Sequence, residues 1–133
     1  MPTASAIRAL IVDDQLTSRA LIRDGLQQLG IQDIGMASDG EQGLKSLMQK
    51  PVHLIISDLN MPGGDGLQVL PRLCASLAGK STPVMVLSGD TTPDTKSTLL
   101  RAGIAAVLAK PVEPKRLIEE VLRLFPQKST GRF

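Results

Sequence analysis

The sequence predicts a doubly wound α/β domain, in which helices cover both faces of one five-stranded parallel sheet. Apolar, strand-like runs alternate with amphipathic, helix-like segments five times along the 133 residues. The strand-like runs are almost continuously apolar, which is typical of parallel strands buried on both faces. The chain length falls within the usual range for one domain, and no linker or second core interrupts the repeats.

Five short apolar runs predict the strands of this sheet. They occupy residues 8–12, 34–37, 53–57, 83–87 and 104–109. The second run, residues 34–37, is the weakest strand candidate of the five. Their separation by longer segments with helical spacing indicates repeated βα units.

The first two helices have recognisable ends. Residues 16–29 have helical spacing, and Gly30 can cap the C-terminal end of that helix. Ser38 and Glu41 have the spacing of a capping box, which predicts that the second helix begins there. Pro51 is expected to end it, because proline cannot continue a helix.

The last three helices are predicted from apolar spacing and from prolines. Residues 67–77 have helical spacing despite an internal proline. Thr92 and Pro93 suit the N-cap and first turn of a fourth helix, and Gly103 is its stop signal. Pro114 opens a fifth helix with one apolar stripe, formed by Leu117, Ile118, Val121, Leu122 and Phe125.

Composition argues against several classes of ligand. The formal net charge is +2, and the basic residues are spread along the chain rather than clustered. With two Phe and neither Tyr nor Trp, the chain lacks an aromatic surface on which bases could stack. No signal peptide is apparent, and no apolar run approaches the ~18 residues of a membrane span. We therefore expect a cytoplasmic protein without membrane insertion and without direct nucleic-acid binding.

Charged side chains follow three of the predicted strands. Asp13 and Asp14 follow the first, Asp58 the third and Lys110 the fifth. An isolated aspartate pair is often only a solvated turn or a helix cap. However, the carboxyl ends of parallel strands meet at one edge of the sheet, where open α/β sheets bind their ligands. Three carboxylates that face one amine there imply a divalent cation and a phosphoryl group.

These residues, in this order and spacing, resemble the receiver domains of bacterial two-component response regulators over about residues 7–125. The matching motifs are Asp13-Asp14, Ser57-Asp58-Leu59-Asn60-Met61-Pro62, Asp65-Gly66, Ser88-Gly89 and Lys110-Pro111. Thr17 and Arg19 make the chain look most like the single-domain, chemotaxis (CheY-like) receivers. The resemblance implies a flavodoxin-like (βα)5 fold with strand order 2-1-3-4-5. We expect residues 1–6 to be an N-terminal extension, 7–126 the receiver domain and 127–133 a flexible tail.

The resemblance also implies a phosphorylation reaction. Asp58 is the expected acceptor, and the donor would be the phosphohistidine of a histidine kinase or of a phosphotransfer protein. Asp13, Asp14, Asp58 and the backbone carbonyl of Asn60 would hold Mg²⁺, with Mn²⁺ as a substitute, because these ions prefer hard oxygen ligands. The chain would catalyse its own modification and slow hydrolysis, and it is not expected to be an enzyme in any other sense.

The remaining motif residues would act on the phosphoryl group. Lys110 would pair with a phosphoryl oxygen, the Ser88 hydroxyl would donate to another, and Gly89 would leave the backbone close to the pocket. The resemblance also implies a cis Lys110-Pro111 peptide bond. Val107 departs from the pattern, since most receivers have an aromatic switch residue there. We expect its short side chain to stay buried in both states.

Two docking surfaces follow from the resemblance alone. The kinase or phosphotransfer protein is expected near residues 16–22. An unidentified output protein is expected on the fourth and fifth predicted helices and the strand between them, residues 93–102, 104–109 and 114–125. We expect a monomer, with dimerisation on activation left open.

Several alternatives remain open at this point. A haloacid-dehalogenase-type phosphatase needs a second aspartate two residues after its nucleophile, but Asn60 and Gln15 stand at those positions after Asp58 and Asp13. The chain could also be a phosphate sink rather than an output switch. The lack of an output domain after Phe125 favours a free-standing protein, although a receiver module excised from a hybrid histidine kinase or multidomain regulator would look the same.

Overall fold

The sheet has the predicted architecture. A computed structural model describes residues 6–50, 52–58, 82–89, 92–101 and 103–125. Five parallel strands form one sheet in the order β2-β1-β3-β4-β5. They are β1 (Arg8–Val12), β2 (Asp33–Ala37), β3 (Leu54–Asp58), β4 (Val84–Ser88) and β5 (Ala106–Ala109). The predicted fold class and strand order are therefore confirmed.

Four helices lie within the described residues. They are α1 (Leu16–Gln28), α2 (Gly40–Gln49), α3 (Pro93–Arg101) and α4 (Pro114–Leu124). The helix predicted at 67–77 lies outside the described residues. No helix in the described ranges is long and apolar enough to cross a membrane.

The helices cover both faces of the sheet because side chains alternate along each strand. Ile11 of β1 belongs to a core cluster that includes Ile22 of α1 and Leu117 of α4. Leu10, one residue earlier, belongs to the opposite cluster, which includes Leu44 of α2 and Leu99 of α3. Adjacent strand residues thus pack into different cores, as a doubly wound sheet requires.

Two glycines determine where α1 ends and how closely it packs against α4. Gly30 has a φ of 90°, and its backbone N–H bonds to the carbonyl of Gln27 over 2.9 Å, which confirms its predicted role as the C-terminal cap of α1. At Gly25 a Cβ would lie 3.1 Å from Cδ2 of Leu117, so the glycine allows α1 and α4 to pack closely.

The start of α2 corrects one prediction. The capping box was predicted at Ser38 and Glu41, but the N-cap is Asp39, whose side chain accepts a hydrogen bond from the backbone N–H of Gln42 over 2.9 Å. The Gln42 side chain in turn accepts bonds from the backbone and hydroxyl of Ser38. The same three-residue spacing is therefore used one position later, with a carboxylate as the acceptor.

Candidate functional site

Three polar side chains become buried where the strands end. Asp13 follows β1 directly, and Asp58 and Ser88 are the last residues of β3 and β4. Asp13 and Ser88 are 0% exposed and Asp58 is 2% exposed. Asp14, in contrast, is exposed. The sheet thus brings the predicted groups to its carboxyl edge and buries two of the three carboxylates.

Lys110 connects these strand ends. Its Nζ donates a hydrogen bond to Oδ2 of Asp58 over 2.9 Å and lies 3.4 Å from Oδ2 of Asp13. Its backbone N–H donates to the carbonyl of Ser88 over 3.0 Å. The Lys110-Pro111 peptide bond is cis, as the resemblance implied. A lysine with this position can neutralise a charge at Asp58 or at a group attached to it.

The two carboxylates determine the charge state of Lys110. Burial alone would lower the pKa of the ammonium, because it disfavours the charged form. The hydrogen bond to Asp58 and the charges of Asp13 and Asp58 outweigh that effect and raise the pKa above its ordinary value. Lys110 therefore remains a cation across the physiological pH range.

Asp13 is held by the first turns of α1. Its Oδ1 accepts a hydrogen bond from the backbone N–H of Gln15 over 2.9 Å, and its Oδ2 accepts one from the Ser18 hydroxyl over 2.7 Å. Arg19 donates from Nη1 to the backbone carbonyl of Asp13 over 2.6 Å. Ser18 was not among the site residues predicted from the sequence. Its only signal was a hydroxyl in the first helical turn after a strand-end aspartate.

The donor set fits a hard divalent cation. Asp13, Asp14 and Asp58 each offer a carboxylate oxygen, and these three atoms lie within 4.8 Å of one another. Three carboxylates beside one ammonium leave net negative charge at a partly buried site, which Mg²⁺ or Mn²⁺ would offset. Asn60, the fourth predicted ligand, lies outside the described residues.

The other two predicted site residues have different surroundings. Gly89 is exposed, and a Cβ on it would meet no atom of the described residues within 4 Å. Val107 is half-buried and packs against the core cluster of Leu10 and Leu99. The expectation that Val107 is buried was wrong, because β5 is an edge strand and the side chain lines a surface cleft.

Within the described residues, two clefts lie beside this edge of the sheet. One, of about 540 Å³, lies between the start of α1 and residues 110–112, and Lys110 lines it together with Ser18 and Leu21. The other, of about 210 Å³, lies between α3, β5 and α4 and is lined by Lys96, Val107 and Arg116 among others. The first cleft thus shares Lys110 with the acidic site.

Known proteins carry the same organisation. The family profile of the response regulator receiver domain matches residues 9–122. The "Probable chemotaxis protein CheY" of Rhizobium etli is 38% identical over 125 residues, which are 94% of this chain and 97% of that protein. The "Sensory/regulatory protein RpfC" of Xanthomonas campestris is 33% identical over 121 residues, which are 90% of this chain but 16% of that protein.

Solved structures agree with these sequence relatives. The chemotaxis response regulator CheY4 of Vibrio cholerae superimposes with a TM-score of 0.78 at 27% identity, covering 90% of this chain and 98% of that chain. A response regulator from Desulfuromonas acetoxidans gives a TM-score of 0.72 at 33% identity, with coverages of 90% and 98%. Family profile, relatives and fold agree over nearly the whole length of the domain. The chain therefore belongs to the response regulator receiver domain family and is CheY-like.

Proposed function

We propose that this receiver is a phosphorylation switch in which Asp58 is the acceptor. The observation that carries the proposal is the contact of Lys110 with Asp58 at the buried carboxyl edge of the sheet. A buried carboxylate beside a cation, with two further carboxylates within reach of the same ion, suits nucleophilic attack on an anionic phosphoryl donor.

The transfer step follows from these positions. A carboxylate oxygen of Asp58 attacks the phosphorus of a phosphohistidine, a P–O bond forms, the P–N bond breaks, and the imidazole leaves. Lys110 moves from the carboxylate to a phosphoryl oxygen, and the Ser88 hydroxyl donates to another. A cation held by Asp13, Asp14, Asp58 and the Asn60 carbonyl would supply charge neutralisation at the phosphoryl oxygens.

The donor protein docks, in this proposal, beside the start of α1. Leu16 is 69% exposed there, and Leu21 lines the cleft that also contains Lys110. An exposed leucine next to an apolar cleft supports contact with another protein. Lys110 lines this cleft and contacts Asp58, so a donor protein bound there would lie next to the acceptor.

The output surface is proposed on α3, β5 and α4. Two features support contact with a partner on this face. Val107 lines a cleft there, and Leu100 of α3 is 52% exposed. We propose a monomeric domain with limits near residues 7 and 126. Ile7 and Phe125, which both belong to the core, support those limits.

Labelling with a small phosphodonor tests the acceptor assignment. Incubation of the chain with acetyl phosphate and Mg²⁺ should give one acid-labile and alkali-labile phosphoryl group, located at Asp58 by mass spectrometry after borohydride reduction. Asp58→Asn should abolish labelling, because an amide is not a nucleophile. Asp33→Asn is the control, since Asp33 lies at the start of β2 beside Arg8, at the other edge of the sheet. Full labelling of Asp58→Asn would contradict the proposal.

A further inference from the structure

The carboxylate of Asp13 has one oxygen with two competing donors. Oδ2 accepts the hydrogen bond of the Ser18 hydroxyl over 2.7 Å and lies 3.4 Å from Nζ of Lys110. Lys110 is closer to Asp58, at 2.9 Å. The shorter contacts therefore pair Ser18 with Asp13 and Lys110 with Asp58.

This pairing matters because Asp13 is completely buried. A buried carboxylate is costly unless hydrogen bonds satisfy it. Ser18 supplies one such bond that does not depend on Lys110. When Lys110 turns toward a phosphoryl group, Asp13 keeps a donor on Oδ2 and can keep its orientation.

We propose that Ser18 is a positioning residue of this site, an inference that rests on the proposed function. Its hydroxyl holds the Asp13 carboxylate in place toward Asp14 and Asp58, so that Lys110 stays with Asp58. Ser18 acts through Asp13 and does not itself contact the phosphoryl group.

The neighbouring α1 contacts of Asp13 are made with atoms other than Oδ2. Gln15 contributes a backbone N–H, which any residue except proline would supply. Arg19 binds the backbone carbonyl of Asp13, so it fixes the chain but contacts neither carboxylate oxygen. Ser18 is half-buried in the first turn of α1, where the helix holds its side chain close to Oδ2.

Calorimetric titration of Mg²⁺ into the metal-free chain tests this role directly. Ser18→Ala should weaken Mg²⁺ binding by about tenfold, the usual effect of removing a hydrogen-bond partner from a metal ligand. Ser18→Thr keeps the hydroxyl and should restore near-native affinity. Ser46→Ala removes another half-buried helical hydroxyl, on α2 beside Gly35, and should leave Mg²⁺ affinity unchanged.

Denaturation without metal checks that each variant is folded. If Ser18→Ala does not fold, Ser18→Cys, with a weaker donor of similar size, takes its place in the comparison.

The outcomes separate this inference from the proposed function. Native Mg²⁺ affinity in folded Ser18→Ala would overturn the role of Ser18, while normal labelling of Asp58 in the wild type would leave the proposed function intact. Equal weakening by Ser18→Thr and Ser18→Ala would also overturn it, because the hydroxyl would then not matter. A wild-type chain that binds no Mg²⁺ and takes no phosphoryl group would overturn both.

Discussion

Nζ of Lys110 donates a hydrogen bond to Oδ2 of Asp58 over 2.9 Å, although the two residues lie 52 positions apart in the sequence. The contact joins the end of β3 to the residue after β5, across the intervening strand β4. Assembly of β3, β4 and β5 is therefore required for the pairing. The contact links the stability of the fold to the chemistry of the site.

Because of Lys110, the metal-free protein should lose stability at alkaline pH. Folding raises its pKa above the ordinary value of 10.5, because Asp58 and Asp13 favour the ammonium. The stabilisation is therefore fully present below about pH 10.5 and is lost as the pH rises through the raised pKa. Urea denaturation of the wild type and of Lys110→Met, in EDTA, should give a stability difference that shrinks above that pH.

Lys45→Met is the control for this pH series, since Lys45 is an exposed lysine on α2. Its stability difference from the wild type should not show the same alkaline change. A constant difference between wild type and Lys110→Met from pH 8 to 11.5 would show that the ammonium contributes nothing through its carboxylate partners.

Asp13 and Asp14 should have different effects on stability without metal. Crowding of carboxylates alone predicts that removing either one stabilises the fold. Asp13, however, accepts bonds from Ser18 and from the Gln15 backbone and lies near Lys110, so Asp13→Ala should cost about 1–3 kcal/mol. Asp14 is exposed, and Asp14→Ala should change stability by less than about 0.5 kcal/mol or slightly increase it.

Chemical denaturation in EDTA measures the stability of both variants, and calorimetric titration measures their affinity for Mg²⁺. Both substitutions should weaken Mg²⁺ binding, because each removes a carboxylate from the cluster. A stable Asp13→Ala protein that still binds Mg²⁺ with native affinity would show that the buried carboxylate serves neither the fold nor the ion.

Much of this site was predictable because the topology determines it. Once β1, β3 and β5 are identified as parallel strands, Asp13, Asp58 and Lys110 must meet at one edge. The sequence also indicated the glycine that ends α1, since a positive φ favours that residue. Apolar spacing and strand-end chemistry therefore predicted the fold class and the acidic cluster, while the strand order followed from the resemblance to receiver domains.

Other features depend on atomic detail that spacing does not contain. Ser38 and Glu41 have the same separation as Asp39 and Gln42, so the pattern could not choose between two caps one residue apart. The exposure of Val107 depends on how far α3 covers an edge strand. Ser18 is an ordinary residue for a first helical turn until the position of Asp13 is known.

Gly43 should be essential for the packing of α2 next to the site. A Cβ on Gly43 would lie 3.0 Å from Cγ2 of Val12, the residue before Asp13. Val12 is fully buried and has little space to move, so Gly43→Val should destabilise the fold by about 1–3 kcal/mol. A double-mutant cycle with Val12→Ala should show partial rescue, with a coupling above about 0.5 kcal/mol. Strict additivity of the two effects would contradict the proposed contact.

Val107 should not be needed to transmit the phosphorylation signal. Its side chain is short and β-branched, with few rotamers, and it lines the cleft between α3 and α4 without a ring that could swing inward. In the proposed reaction the Ser88 hydroxyl donates to a phosphoryl oxygen, so this side chain is the expected link between the site and the neighbouring backbone. Beryllofluoride, an analogue of the phosphoryl group at Asp58, should therefore shift amide resonances on α3 in the wild type and in Val107→Ala alike. Ser88→Ala should confine the shifts to the immediate site. The coupling to a partner on that face should be about 1–3 kcal/mol, as in most two-site linkage.

If Val107→Ala abolishes the distant shifts while Ser88→Ala preserves them, the signal passes through Val107. If the wild type itself shows shifts only beside Asp58, the chain acts as a phosphate sink.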